Sequence, residues 1–322
     1  SEMCIRDRLW LDRIAGITKY HDSGNNCFEN VAGKLAEFGL REGMGDLDAR
    51  LAPFRDWIAN PDRAKDQGMM AELNRVLCLA HLLRLGYDDE AVREHALARL
   101  ETIHRVAESG RFDVLLPEDP ADLPKAYRGR YRVVDPWFTP GGSCALPYVH
   151  DLHMLAAFPE EWRTARVVKM VDTVVRYVLT EEYQALPKGF GYVRDDSLSP
   201  PRYYVLGWDA GLPGYCGSLG RLSREYFVLS LEMMAGFPRA RNHRWFRESL
   251  ARLDEHRTDR GSWLLPRAWL PEKRVAYWVA GGHMGLEENR RSRAAIERES
   301  TVRVLRLLKH PRRWPDGDST SS

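Results

Sequence analysis

The sequence predicts an all-α protein built from repeated helical hairpins. Three observations support this: a recurring helix ending, an alternation of apolar with amphipathic helices, and glycine–aromatic turns after the amphipathic helices. The 322 residues are 44% hydrophobic and 29% charged, with 48 basic and 46 acidic side chains. A disordered chain would be poorer in apolar residues, and a nucleic-acid-binding protein usually carries a basic excess, so we expect neither. No stretch approaches the ~18 uninterrupted apolar residues of a membrane span.

Each predicted hairpin begins with a helix that ends on a small residue beside an apolar or aromatic one. Gly39, Gly86, Ala157 and Gly236 mark these endings, at intervals of 47, 71 and 79 residues. Such variable spacing is typical of a repeated unit separated by loops of different length. We expect first helices at 26–39, 69–84, 144–157, 218–235 and 290–308.

The two helices of a hairpin differ in polarity. The first helices are apolar nearly all round, which predicts burial on all sides. The second helices, at 90–108 and 241–256, carry one apolar stripe, which predicts a half-buried position. Helix 9–17 would be the second member of a hairpin whose first helix is missing. One buried and one half-buried helix, repeated, predict two concentric rings of inner and outer helices.

This pattern resembles the α/α toroid of the terpenoid cyclase and protein prenyltransferase superfamily, including squalene cyclase-like repeat proteins, over roughly residues 26–309. The resemblance implies a cyclase or transferase type of enzyme that acts on an apolar or isoprenoid-like substrate in the barrel mouth. The glutamine that precedes Gly-x-Trp in squalene cyclase repeats is absent here, as is their Asp-x-Asp-Asp box. Two alternatives stay open: a zinc-dependent cyclase or thiol-activating enzyme, and a carbohydrate-active or non-catalytic ligand-binding (α/α) barrel.

The chain is expected to form one domain at 9–310. Residues 1–8 resemble the translated sequencing adapter found at the ends of metagenomic reading frames, so we expect them to be non-native and the true N-terminus to be missing. Residues 311–322 are polar and predict a disordered tail. The cysteines are far apart with no Cys-x-x-Cys pair, which favours reduced thiols and a cytoplasmic location. The sequence does not indicate an oligomeric state.

Cysteine and histidine recur where the inner helices are expected to begin. Parallel inner helices place their N-termini at one mouth of the barrel, where the helix dipole favours thiolate, the form that binds zinc. A catalytic zinc site usually has three protein ligands and one open position. We therefore predict zinc ligands at Cys144, Cys216 and His283, with Cys27 available as a fourth. The alternative is that cysteine is simply a small apolar residue where helices converge.

Acidic and basic side chains near the same mouth are candidates for proton transfer. His150 and His153 share a helix face beside Asp151, where they could bind a metal or relay protons. Asp209 and Asp22, with His21 and Glu287, lie in predicted mouth loops, where a carboxyl group held away from water could donate a proton. We predict catalytic roles for Asp209, His150 and Asp22. Helix capping by Asp22 and packing of a capped histidine remain as alternatives.

Aromatic residues cluster in the same loops. An aromatic face attracts cations and also stacks on sugars, so these residues indicate an organic ligand without choosing its type. The alternative is that they fill gaps between hairpins. Glu299 in the last inner helix is either a paired structural acid or a site residue. The predicted substrate-binding residues are Trp137, Trp208, Tyr215 and Trp278.

Overall fold

The computed structural model describes residues 5–17, 19–60, 69–140, 143–187, 189, 191–196, 199–205, 207, 209–217, 219–220, 224–287, 290–309 and 314, with side chains from residue 8 onward. Across these residues the protein is mainly helical, which confirms the all-α class. In the described part of the chain, two short strands, β1 (Tyr192–Asp195) and β2 (Arg202–Val205), form the one sheet, and they pair antiparallel with Tyr192 opposite Val205.

The α-helices are numbered in chain order within the described residues. They are α1 (Ile5–Arg13), α2 (Phe28–Glu37), α3 (Leu47–Ala59), α4 (Met69–Arg84), α5 (Glu90–Ser109), α6 (Val149–Ala156), α7 (Ala165–Val178), α8 (Glu181–Gln184), α9 (Phe227–Met234), α10 (Pro238–Asn242), α11 (Arg244–Asp254) and α12 (Arg293–Leu308).

Five helices form a series of neighbours, which we call the inner series: α2, α4, α6, α9 and α12. Each contacts the next member of the series along the chain. All ten residues of α2 are buried, as its apolar character predicts. All five first helices predicted from the sequence are present, but α9 begins at Phe227 rather than at residue 218, and α6 begins at Val149 rather than at residue 144. Pro147 explains the late start of α6, because the residue before a proline disfavours helical geometry.

The amphipathic helices pack against the inner series. Helix α5 contacts α4 and α7, and α11 contacts α9. Helix α5 ends at Gly110, which adopts a left-handed conformation with φ 65°. Such a C-terminal glycine terminates a helix without the steric penalty of a Cβ atom. The outer members predicted at 90–108 and 241–256 correspond to α5 and α11.

A loop between α11 and α12 reaches into the inner series. Its Trp278 is fully buried. The Trp278 ring lies 4.9 Å from the ring of His81 on α4 and 4.7 Å from that of His153 on α6. The backbone N–H of Trp278 donates to Asn30 Oδ1 on α2 at 2.7 Å. This loop therefore contacts three members of the inner series.

Buried ion pairs also join these elements. The Arg99 guanidinium on α5 donates two hydrogen bonds of 2.8 Å to Asp151 on α6. Arg303 on α12 is fully buried, lies 2.7 Å from Glu232 on α9 and lies 3.1 Å from Glu37 on α2. Such pairs hold helices at fixed positions, because breaking one leaves an uncompensated buried charge.

No helix within the described ranges is long and apolar enough to cross a membrane. Of the predicted tail at 311–322, the structure describes only Trp314. That side chain is 3% exposed, and the Arg163 guanidinium lies 5.1 Å from its ring. The other tail residues and residues 1–4 lie outside the described part.

Candidate functional site

A cavity of about 310 Å³ lies where α6 and α9 begin; we call it the N-terminal cavity. Asp209 is the one acidic side chain among its described lining residues, and Tyr226 and Ser230 add hydroxyl groups. The volume is near the lower end of the ~300–1,000 Å³ of typical ligand pockets. The remaining lining residues are small or mostly apolar: Tyr131, Val149, Gly189, Val205, Gly207, Ala210, Gly211, Met233, Val279 and Ala280.

Backbone interactions fix Asp209 in this wall. Its main chain forms an isolated antiparallel bridge with Tyr148, and its Oδ1 accepts a hydrogen bond of 2.9 Å from the Gly189 N–H. A Cβ atom on Gly211 would lie 2.8 Å from Asp209 Oδ2, so glycine makes room for the carboxylate. Burial, and then the negative charge of Asp209, raise the pKa of Tyr226 to about 12. A neutral phenol and a carboxylate therefore share this cavity.

A second group of titratable side chains lies at the first turns of α2 and α6. Glu29 is fully buried, and one of its oxygens is hydrogen-bonded to His21 Nδ1. Its other oxygen accepts from the Val279 N–H at 2.9 Å and lies 4.0 Å from His150 Nε2. Burial opposes ionisation of Glu29, but the hydrogen bond with His21 and the two imidazoles keep its pKa below the ordinary value. Glu29 thus orients His21.

His21 is the member of this group that reaches solvent. Its side chain is 24% exposed, whereas those of Glu29 and His150 are fully buried. The His21 ring stacks on the ring of Tyr277 at 4.5 Å. A buried carboxylate that is hydrogen-bonded to one imidazole nitrogen leaves the other ring nitrogen to make outward contacts.

His150 is neutral in this environment. Burial, only partly opposed by Glu29, lowers its pKa to about 3. The predicted relay through Asp151 is not assembled, because both Asp151 oxygens accept hydrogen bonds from Arg99 and one also accepts from the Tyr148 N–H. His153 lies against Trp278 instead. His150 therefore supports Glu29 and cannot act as a cationic acid near neutral pH.

Asp22 has a local structural role. Its carboxylate pairs with Lys19 at 2.5 Å and accepts the Gly24 N–H at 3.1 Å. The hydrogen bond from Lys19, followed by that from Gly24, lowers its pKa. Asp22 is not among the described lining residues of the N-terminal cavity. It does not cap α2, whose N-cap residue is Cys27, and its contacts instead stabilise the loop before this helix.

The predicted zinc ligands do not form one group. Cys27 caps α2 by accepting the Asn30 N–H at 3.5 Å, Cys216 is exposed, and His283 Nε2 is hydrogen-bonded to the Ala276 carbonyl at 3.0 Å. Burial raises the thiol pKa of both Cys27 and Cys144 to about 11, so neither is a thiolate at neutral pH. Within the described ranges, no three His, Cys, Asp or Glu side chains could hold a metal ion together. The Cys144–Cys216–His283 site is therefore not assembled.

The predicted aromatic ligand residues are dispersed. Trp137 is 43% exposed, and the Arg111 guanidinium lies 4.5 Å from its ring. Tyr215 stacks on His243 at 5.6 Å and donates its hydroxyl proton to the Leu179 carbonyl at 2.5 Å. These contacts match the packing alternative. Trp208 lies outside the described residues, and Trp278 is buried between the inner helices.

The two remaining acids from the sequence analysis are structural. Glu299 is fully buried and accepts hydrogen bonds from Arg290 Nε at 2.7 Å and the Leu286 N–H at 2.8 Å. Glu287 accepts from Arg298 Nε at 2.7 Å. Glu299 is therefore a paired structural acid.

A larger cavity, of about 620 Å³, lies at the other end of the inner series; we call it the C-terminal cavity. All five inner helices contribute residues from at or near their last turns. Arg41, Arg84, Arg306 and Lys309 line it together with Glu37 and Glu232. Of the residues that line this cavity, only His153 was a candidate from the sequence, and the cavity itself was not predicted. The available signal was the basic residue at or just after the end of α2, α4 and α12.

Comparisons of the chain with protein-family models, with curated protein sequences and with solved structures find no match. Function is therefore inferred from the geometry of the two cavities.

Proposed function

We propose that this chain is an α/α-toroid enzyme of the cyclase or transferase type, which acts on a small apolar or isoprenoid-like substrate in the N-terminal cavity. The observation that carries the proposal is the Asp209 carboxylate on the wall of a mostly apolar cavity. The toroid arrangement is supported by the sequential contacts of the inner series, whose C-terminal ends surround one cavity.

The proposed chemistry passes through a substrate cation. A carboxylate in an apolar cavity stabilises nearby positive charge strongly, because little water screens the interaction. The hydrogen bond from the Gly189 N–H holds Asp209 Oδ1 in a fixed position. The cation would form when the C–O bond of an allylic diphosphate breaks and the bonding electrons leave with the diphosphate. Asp209 would hold the allylic cation and then accept a proton from the adjacent carbon, as the electrons of that C–H bond form a double bond. Tyr226, kept neutral by burial, would contribute an aromatic face.

The two alternative functions, a carbohydrate-active barrel and a zinc-dependent enzyme, receive less support from the described residues. Glycoside hydrolysis generally uses two carboxyl groups that flank the scissile bond, and among the described residues Asp209 is the one acid lining this cavity. A zinc-dependent mechanism lacks an assembled ligand set in the same part of the chain.

Turnover by an Asp209 variant tests the proposal. Purified protein is incubated with dimethylallyl diphosphate, geranyl diphosphate and farnesyl diphosphate, and products are identified by gas chromatography and mass spectrometry. Wild type should convert one of the three, and Asp209→Asn should reduce the rate at least ~100-fold, in the range seen when one charge-stabilising group is removed.

Asp22→Asn is the matched control, since it makes the same change in the exposed Lys19 pair. It should retain wild-type turnover. The proposal fails if wild type converts none of the three compounds, or if Asp209→Asn is as active as wild type.

A further inference from the structure

The C-terminal cavity has a polar floor. Its described lining includes His153, which is 5% exposed, and Arg84, whose side chain is 17% exposed. The buried ring of Trp278 lies behind both, 4.1 Å from the Arg84 guanidinium carbon and 4.7 Å from the His153 ring. A guanidinium and an imidazole thus line the cavity over the same buried ring, close enough for the Arg84 charge to act on His153.

His153 and Arg84, at this floor, have hydrogen-bonding groups that the described contacts do not use. Among the described residues, His153 Nε2 has no hydrogen-bond partner although it is buried. Arg84 donates to Glu37 Oε1 at 2.9 Å and contacts His81 Nδ1 at 3.3 Å, which uses two of the five N–H donors of a guanidinium. Buried polar atoms are normally paired, so the floor is suited to an acceptor-rich ligand group.

The charge balance favours an anion. Glu37 and Glu232 face three guanidinium groups, those of Arg84, Arg303 and Arg306. The carbonyl ends of the inner helices offset part of this excess. Arg306 interacts with one of these carbonyl groups, because its guanidinium donates a hydrogen bond of 3.3 Å to the Glu37 carbonyl. Arg84 lines the cavity, and its described hydrogen bonds are to the side chains of Glu37 and His81 rather than to a helix carbonyl.

The walls above this floor are apolar and open. Val302 and Leu305 on α12 line the cavity and remain 41% and 37% exposed. Leu229, Met233 and Ala156 form other parts of the wall. A ligand that covers these surfaces would remove apolar area from water, which favours binding.

We propose that the C-terminal cavity binds an amphipathic monocarboxylate, with its carboxylate on Arg84 and His153 and its hydrocarbon chain along Val302 and Leu305. The polar floor and the apolar entrance fix this orientation, with the head group innermost. Burial and the Arg84 charge lower the pKa of His153, so the imidazole is neutral and can donate one hydrogen bond. Asp209 is not among the described lining residues of this cavity, although Met233 lines both cavities.

Isothermal titration calorimetry with dodecanoate tests this proposal. The wild-type chain should bind one dodecanoate, and at least ~10-fold more tightly than dodecanol or dodecylammonium, a difference of about 1.4 kcal/mol. Arg84→Met keeps an unbranched stem but removes the charge, and should weaken dodecanoate binding at least ~10-fold. Asp209→Asn should bind dodecanoate like wild type, so this test is independent of the proposed enzyme activity.

A surface variant covers the case in which Arg84→Met does not fold. Val302→Asp places a negative charge on the exposed wall and should weaken dodecanoate binding, whereas Val275→Asp changes a 66% exposed valine that does not line the cavity and should not. The proposal is overturned if wild type does not bind dodecanoate, or if dodecanol binds equally well. It is also overturned if a folded Arg84→Met keeps wild-type affinity, or if the two aspartate variants behave alike.

Discussion

Gly33 of helix α2 lies directly against the indole ring of Trp278. A Cβ atom built on Gly33 would lie 2.6 Å from Trp278 Cγ, closer than two carbon atoms can approach. The loop reaches between the inner helices because this position has no side chain. Trp278 lies behind the floor of the C-terminal cavity, and the next residue, Val279, lines the N-terminal cavity. One loop therefore contributes to both candidate sites.

Gly33→Ala should lower the free energy of unfolding by about 1–3 kcal/mol, because the added methyl group displaces a buried ring. On helix propensity alone the same change would stabilise the protein by about 1 kcal/mol. Urea denaturation of wild type and Gly33→Ala measures the difference in their free energies of unfolding. Gly16→Ala is the control, since no atom lies within 4 Å of its added Cβ. Equal stability of the two variants would mean that Trp278 is not held against α2.

The Arg99–Asp151 pair should be essential for stability. Both side chains are at most 1% exposed, so Arg99→Met would leave a buried carboxylate without its partner. We expect a loss of about 3–5 kcal/mol. Arg166→Met breaks an exposed pair with Glu101 and should cost less than about 1 kcal/mol. Chemical denaturation of both variants checks the ranking, and a similar small loss for both would contradict the buried pair.

Glu272 should make stability depend on acid pH. Burial alone would raise its pKa, but His283 and then the Lys34 ammonium lower it to about 2. Because the pKa of an unfolded glutamate is about 4.3, this carboxylate stabilises the folded state above that pH, and the contribution is lost as the pH falls toward 2. The effect is on the order of 2–3 kcal/mol.

Glu272→Gln provides the comparison for this pH effect. The difference in unfolding free energy between wild type and variant should be largest at pH 6 and should shrink between pH 4.5 and 2.5. A difference that stays constant across this window would show that Glu272 is not ionised by its contacts in the folded state.

His150 should stay neutral well below its ordinary titration range. Burial lowers its pKa to about 3, so its imidazole should remain uncharged from pH 8 to pH 4.5. Nitrogen-15 chemical shifts of the histidine rings report this directly, with His150→Gln assigning the resonance. Titration of that resonance near pH 6.5 would contradict the buried position of His150 beside Glu29.

The helices could be predicted from the sequence because their signals are local. A helix that is apolar nearly all round, such as 69–84, indicates its own burial, and Met69–Arg84 is helical as expected. The ends were harder to predict: 144–148 is apolar enough for a helix, yet Pro147 delays its start. The strands β1 and β2 were not predicted, since four-residue segments carry little periodicity.

The candidate sites were harder to predict, because they depend on contacts between residues far apart in the sequence. The periodicity of apolar residues does not indicate such contacts. Arg99 and Asp151 are 52 positions apart, and only the packing of α5 on α6 brings them together. Cysteines at matching positions of three inner helices indicated one metal site, but their side chains lie in separate, mostly buried surroundings. Glu29 and Lys34, charged residues inside an apolar helix, were the unused signal for buried polar contacts.

Binding of an apolar ammonium ion tests the proposed function most directly, because it needs no knowledge of the substrate. N,N-dimethylgeranylamine is cationic at neutral pH and mimics an isoprenoid cation, which a site complementary to that cation should bind tightly. Calorimetry should show one bound molecule in wild type and in Asp22→Asn, and at least ~10-fold weaker binding in Asp209→Asn. Absence of binding to wild type, or equal affinity in Asp209→Asn, would contradict a cation-stabilising role for Asp209.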